Sequence, residues 1–330
     1  MTAKVAFCVV AWNNADILPT CLNSLLAQTG VAFDIYLLDN ASTDDTRAVM
    51  DNYPSVKVFW SRANTGFARG NNILIRKALK DPDVGYVALI NSDVELDPAW
   101  AANLVGFAES RPNVGSLQGL TLDYFNHDIV DSMHIFVNAY LHGQQYGHGD
   151  KYMPGTYYPR KVFGVNAASC MYSRAMIEGL PDRQYGFFDE RFFMYYEDID
   201  VSYRALVCGW DAWFVPEAIA YHMGSVTTKK RGSRYSLKMV GRNLPAAAFK
   251  NTPAFVIRRS AKYIAYGAGA LLVNIKRDNG IVGAAWFVGA VLQGLVRLPT
   301  YASSRRRVMK AKRINDNYLM RIFRDNGILG

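Results

Sequence analysis

The sequence of 330 residues predicts an α/β fold: a mostly parallel sheet flanked by helices, followed by a C-terminal extension that is helical, basic and apolar. Three observations carry this. Over the first 110 residues, short β-rich apolar runs alternate with segments of helical period, as in parallel β-α-β units. Asn13, Asp39, Asn64 and Asp93 stand at or just past the ends of four successive runs, and in parallel sheets ligands sit beyond the C-terminal strand ends. Charge is divided along the chain. From Lys229 onward 21 Lys and Arg face three acids (+18), which leaves 16 basic and 25 acidic groups in the first 228 residues (−9).

Val5–Val10 is apolar and β-rich and reads as a buried strand, broken by Asn13-Asn14. Ile17, Leu18, Cys21, Leu22, Leu25 and Leu26 then recur at helical spacing. Phe33–Leu38 is a second strand, and Ser42 with Asp45 reads as a capping box for the next helix. Val56–Trp60 is a third strand, followed by the turn Asn64-Thr65-Gly66 and a helix near Asn72–Leu79. Tyr86–Ile90 is a fourth, and Pro98 opens a helix. Residues 121–161 have no clear period and read as a loop-rich or short-β insertion beside the site. Strand character returns at Val162–Ser173, a helix is expected over Asp198–Val207, a further strand or edge segment at Trp213–Val215, and a helix over Tyr235–Lys250.

In the tail, the apolar stretches Tyr263–Ile275 and Ile281–Val296 are flanked by Arg258, Arg259, Lys262, Lys276, Arg277 and Arg297. Each falls short of the roughly 20 residues that span a bilayer. The expectation is of helices lying in a membrane interface on anionic lipid, against the plainer reading of a helical subdomain packed on the body or pairing with a second copy. Nucleic acid is not expected as a partner, because no aromatic-basic interleaving or known nucleic-acid module is present. Four scattered cysteines without a C-x-x-C pair suit a reducing compartment. Met1-Thr2-Ala3-Lys4 leads directly into a strand-like run, so no signal peptide is expected.

The chemistry-bearing residues form two groups. Asn91-Ser92-Asp93 closes the fourth strand and offers a metal-binding acid. Tyr195-Tyr196-Glu197-Asp198-Ile199-Asp200 offers a carboxylate pair able to accept a proton, and His222 follows Asp198 by 24 residues as an imidazole ligand. Each has a plainer reading: Asp93 as a helix cap, the acids as a first turn complementing the helix dipole, His222 as a structural histidine.

Asp39-Asn40-Ala41-Ser42-Thr43-Asp44, the stretch Asn64-Thr65-Gly66-Phe67-Ala68-Arg69-Gly70-Asn71-Asn72, Phe188-Asp189-Glu190-Arg191 and Tyr196-Glu197-Asp198-Ile199-Asp200 together resemble family 2 glycosyltransferases, in the rhamnosyltransferase-like branch. The resemblance runs from about Val5 to about Asn243. It implies a GT-A fold over 1–243 (nucleotide-binding part about 1–110, acceptor part about 111–243), with 244–330 as the extension. It also implies a nucleotide-linked sugar donor (dTDP-rhamnose first, a UDP-sugar as the alternative), Mg²⁺ or Mn²⁺, and inversion at the anomeric carbon; the basic, apolar tail adds the expectation of a polyprenyl-linked saccharide acceptor and a position on the cytoplasmic face of a membrane. Under it Asp198 is the general base, and Asp93 and His222 hold the metal. Asn13, Asp39, Asn64, Gly66, Arg69, Asn71 and Asn91 meet the donor. From the residues themselves, Glu197, Asp200 and Trp210 are the candidates to face or orient the acceptor, against a helical ion pair of Asp200 with Arg204 and, as the better reading of Trp210, packing in the core. Asn91 departs from the usual D-x-D of the family and removes one charge. Two rivals are a nucleotidyltransferase, for which Ala11-Trp12-Asn13-Asn14 lacks a Gly-rich basic loop, and a non-catalytic membrane module. A dinucleotide oxidoreductase is disfavoured, since no G-x-G-x-x-G follows the first strand.

Overall fold

The computed structural model describes residues 3–138, 141–224, 233–325 and 328–329. Met1, Thr2 and the first basic residues of the tail (Lys229, Lys230, Arg231) lie outside the described residues. The elements are β1 (Lys4–Ala11), α1 (Leu18–Leu26), β2 (Phe33–Asp39), α2 (Thr46–Met50), β3 (Lys57–Trp60), α3 (Gly66–Ala78), β4 (Val84–Asn91), β5 (Val94–Leu96), α4 (Trp100–Glu109) and β6 (Val114–Asp123). Then come β7 (Val130–Ser132), β8 (His134–Val137), β9 (Gly143–Tyr146), β10 (Arg160–Val162), β11 (Ser169–Ser173), α5 (Arg174–Gly179), α6 (Glu197–Val207) and β12 (Asp211–His222). The chain ends with α7 (Ser233–Asn251), α8 (Ala254–Val296), α9 (Ala302–Lys310), α10 (Asp316–Arg324) and β13 (Ile328–Leu329).

β3-β2-β1-β4 pair in parallel, as helical crossovers between apolar strands require. Chain order reverses between β1 and β4, and that switch point opens a crevice at the strand C-termini. Beyond β4 the sheet is mixed: β11 inserts antiparallel between β4 and β6, and β12 lies parallel to β6. The sheet is therefore parallel over its first four strands and again between β6 and β12, and becomes mixed where β11, β10, β7 and β5 add antiparallel. β12 is longer than the Trp213–Val215 segment expected and is central, paired with both β6 and β10. Val162–Ser173 is two strands, not one.

Local chemistry differs from expectation at two helix starts. Ser42 does not cap α2, since its Oγ accepts from the Asn13 N–H. The carboxylate that serves the start of α2 is that of Asp44, which accepts from the N–H of Thr46. Pro98 lies two residues before α4 rather than inside it.

One apolar cluster fills each face of the sheet. A third joins Phe163, Phe192, Tyr203 and Ile199 to Ala246, Val256, Leu319 and Phe323 of the C-terminal helices. The extension is thus stitched into the body, and the expected division at 243/244 falls inside α7. Arg307 reaches Asp182, the Arg313 N–H donates to the Val207 carbonyl, and β13 adds to the sheet beside β10. Only α8 projects. Gly280 (φ 70°, ψ −179°) interrupts it, which leaves 254–279 and 281–296 as two helices. The second packs on α7, where Gly241 and Gly294 allow close approach to Phe287 and Arg242.

Candidate active site

A cleft of ≈ 380 Å³ opens at the switch point between β1 and β4. Asn64, Gly66, Asn91, Asp93, Glu197, Asp198 and His222 of the sequence-predicted set line it. Trp12, Asn14 and Asn40 line the end next to β1 and β2, and Ile135, His142, Gln144 and Gln145 its other wall. The insertion therefore covers the site, with residues 139–140 outside the described set.

Sheet register joins the first group. β5 turns back from β4 and pairs antiparallel with the end of β12, His222 opposite Val94, and the Met223 N–H donates to the Asp93 carbonyl. His222 Nε2 then lies 3.4 Å from Asp93 Oδ1, while Nδ1 lies 2.9 Å from Asp131 Oδ2. Burial opposes charge on this imidazole, but the hydrogen bonds to Asp131 and Asp93 push it up to about 10. Sequence reasoning missed Asp131, which sits in the aperiodic insertion 91 residues away and carries no ligand spacing. Among the described residues no three His, Cys, Asp or Glu side chains converge as a metal cage. Asp93 and His222 supply two donors facing one another across a short gap, which suits a divalent cation whose remaining ligands are phosphate oxygens and water.

The second group depends on an unusual backbone. Phe193, Tyr195 and Tyr196 have φ of 67°, 66° and 72°, a region non-glycine residues rarely occupy. Two devices hold them there. Asn243 Nδ2 donates to the carbonyls of Phe192, Met194 and Tyr195 at 3.0, 2.9 and 2.8 Å. The Ala68 N–H donates to the Phe193 carbonyl, beside Gly66, where a Cβ would stand 2.6 Å from that oxygen. This loop delivers Glu197 and Asp198 to the cleft at the start of α6. Burial raises Asp198 to about 6, tempered by the backbone N–H groups of Ile199 and Ala167. Glu197 is raised well above the usual range, first by burial and then by the Asp198 charge, and its Oε2 has no protein partner. Burial thus raises both carboxyls, and the Asp198 charge acts further on Glu197, so the two titrate as an interacting pair.

Other expected residues lie elsewhere. Asp200 is fully buried on the far side of α6, bound to Arg204, Lys250 and Asn251, so it does not face an acceptor. Trp210 precedes β12 at the opposite end of the strand and packs on Gly115 and Gly179, outside the cleft. Asn71 turns inward and donates to the Phe67 carbonyl. Arg69 is exposed, 3.8 Å from Glu190. Asp39 and Asn13 do not line the cleft: Asp39 accepts from the Ser42 N–H and Asn13 Oδ1 from the Thr43 N–H, so both side chains serve the loop after β2. Their neighbours Asn40 and Asn14 face the cleft instead.

Residues 6–178, slightly over half the chain, match the family model of glycosyl transferase family 2. The chain is a family 2 glycosyltransferase. It is 27% identical over 248 residues to an N-acetylglucosaminyl-diphospho-decaprenol L-rhamnosyltransferase of Mycobacterium tuberculosis, covering 67% of this chain and 76% of that one. Two solved structures share its fold. Staphylococcus aureus TarS 1–349 with UDP-GlcNAc has a TM-score of 0.54 at 14% identity, covering 98% of this chain and 92% of that one. A mannosyltransferase of Pyrobaculum calidifontis with GDP-Man and Mn²⁺ has 0.52 at 15%, covering 94% and 86%. The transferase thus has the GT-A fold, completed by β11, β6 and β12 and a helical C-terminus.

Proposed function

We propose that the chain moves a sugar from a nucleoside diphosphate to a hydroxyl of a polyprenyl-linked saccharide, with inversion, in cell-surface polysaccharide assembly on the cytoplasmic face of a membrane. The observation that carries this reading is one cleft shared by an ionisable Asp198 and the facing donors Asp93 and His222. The mycobacterial relative's name specifies L-rhamnose and a decaprenyl diphosphate acceptor, which makes dTDP-rhamnose the first donor to test. UDP-linked galactofuranose or N-acetylhexosamine follows, in view of the TarS complex.

Asp198 accepts the acceptor's hydroxyl proton as that oxygen attacks the anomeric carbon from the side opposite the leaving group. The bond from the anomeric carbon to the diphosphate oxygen breaks, and the nucleoside diphosphate departs with the electron pair. Apart from His222, whose partners favour its charged form, the described residues lining the cleft include no Lys or Arg, while Asp93 and Asp198 are both acids. A diphosphate entering that field needs a positive partner. Asp93 and His222 would hold Mg²⁺ or Mn²⁺, which supplies charge neutralisation for the departing diphosphate.

The test is transfer from dTDP-, UDP- and GDP-linked sugars with Mn²⁺ or Mg²⁺, for the natural chain and Asp198→Asn. Loss of a general base costs about 10²–10⁴-fold in kcat. A near-normal rate in Asp198→Asn removes its role as base, and transfer unaffected by chelation removes the metal.

A further inference from the structure

We infer that Asp131 is a positioning residue that fixes the ring and tautomer of His222, so that its Nε2 faces the cation-binding position together with Asp93. The inference rests on the metal reading of Asp93 and His222 above.

The chemistry starts with hydrogen-bonding capacity. A carboxylate only accepts, so the 2.9 Å contact between Asp131 Oδ2 and His222 Nδ1 places a hydrogen on Nδ1. Without a cation the same rule puts a second hydrogen on Nε2, which lies 3.4 Å from Asp93 Oδ1; a cation held there would take that proton's place, and because Asp131 keeps the hydrogen on Nδ1, the lone pair that is freed is the one on Nε2. Without Asp131 the ring is free to take the other tautomer, which points an N–H at the cation position, or to turn over, which points a C–H there. A ligating histidine oriented by a carboxylate on its other nitrogen is the arrangement that raises ligand basicity and fixes the ring.

The backbone shows that this contact is built. Asp131 belongs to the short strand β7, paired antiparallel with β6, which in turn runs beside β12. Thr121 pairs with Ser132 but Leu122 with Val130, so Asp131 is the extra residue of a β-bulge. Bulges beside active sites re-aim a side chain, and here the re-aimed carboxylate crosses β6 to His222. The bulge is pinned from behind: Val130 N–H donates to the Asp150 carbonyl, Gly149 N–H to the Val130 carbonyl, and His148 Nδ1 lies 2.9 Å from the Asp131 carbonyl. Asp131 and His222 are both about nine-tenths buried, so water competes poorly for the contact.

The experiment is Mn²⁺ binding to the full chain with UDP or dTDP present, read as free Mn²⁺ by electron paramagnetic resonance. Asp131→Ala is expected to weaken Mn²⁺ by about 10–100-fold, the usual cost of losing an outer partner of a ligating histidine. Asp131→Asn keeps an acceptor oxygen in the same place and is expected to recover most of that loss. In a His222→Ala background, Asp131→Ala is expected to add nothing further, because the coupling runs through the imidazole. An unchanged affinity in Asp131→Ala overturns the inference, as does an equal loss with and without His222, which marks a merely structural role. If Asp93→Ala and His222→Ala leave Mn²⁺ binding untouched, or the natural chain binds none, the metal reading fails and the positioning role with it.

Discussion

Asp198 and Glu197 are adjacent acids whose surroundings pull their proton affinities apart. Burial acts on both, but backbone N–H groups of Ile199 and Ala167 serve Asp198, while Glu197 Oε2 has no protein partner. If Asp198 is the base, kcat/KM gains an acidic limb: activity rises as pH passes upward through about 6 and is flat above. Burial and the Asp198 charge both favour the protonated form of Glu197, so Glu197→Gln, neutral and of the same shape, is expected to leave that limb in place. A limb displaced well below 6 in this variant shows that Glu197 was charged. The stability sign follows from the same shift. The folded carboxyl of Asp198 binds its proton more tightly than the unfolded one, so its contribution falls as pH rises from about 4 to about 6 and stays low above. Asp198→Asn is therefore expected to raise the melting temperature at pH 7.5 while abolishing transfer, measured by calorimetry beside the assay. None of this separation is visible in the dipeptide, because it depends on which backbone groups face which oxygen.

Among the elements, α6 and α7 share a buried network that explains several residues left without a site role. Lys250 of α7 is fully buried and lies within 3.2 Å of Asp182, Asp189 and Asp200. Although burial works against ionisation, Arg191 and Lys250 hold Asp189 well below the usual carboxylate range. Asp200 also pairs with Arg204 four residues on, the helical pair its spacing suggests. The Phe188-Asp189-Glu190-Arg191 stretch thus acts by fastening the C-terminal helices to the loop that carries Glu197 and Asp198. Asn72 reinforces it, clamping both the N–H and the carbonyl of Phe188. Removing one partner of a buried ion group strands the others, so Lys250→Ala is expected to cost about 3–5 kcal/mol in urea unfolding. A loss below about 1 kcal/mol contradicts the network's role, being the scale of an exposed pair.

For the whole molecule, α8 carries a run of exposed apolar residues, although Val256 joins it to the third apolar cluster and its second half packs on α7. It is long and apolar enough to cross a membrane by length and composition, yet only 28% of its most apolar window is buried, and Gly280 divides it. Val273, Ile281, Trp286, Leu292 and Val296 are exposed, with Lys276, Arg277 and Arg297 close by in sequence. A basic, apolar face of this kind fits an anionic lipid surface, where a polyprenyl-linked acceptor resides. Deleting the tail is a poor test, because residues 302–329 return to the sheet and the third apolar cluster. Ile281→Asp with Leu292→Asp keeps the fold and is expected to abolish sedimentation with vesicles of anionic phospholipid while leaving transfer to a soluble acceptor intact. Self-association of the natural chain without vesicle binding assigns the face to a second copy instead.

The sequence by itself determined the parallel β-α-β beginning, the family, and the cleft residues Asn91, Asp93, Glu197, Asp198 and His222, because strand-end polarity and short contiguous motifs are local signals. It also yielded the two apolar stretches that Gly280 separates. Only the tertiary structure decided which polar residues face the cleft. Asp39, Asn71 and Asp200 have the right type and place in the motifs, but each side chain is turned toward a backbone N–H, a helix carbonyl or a buried ion group. Asp131 is the reverse case: an unremarkable residue in an aperiodic stretch, brought to His222 by a one-residue bulge and two strand pairings. Pairing between distant strands sets such contacts, and a period or a spacing along the chain carries no record of it.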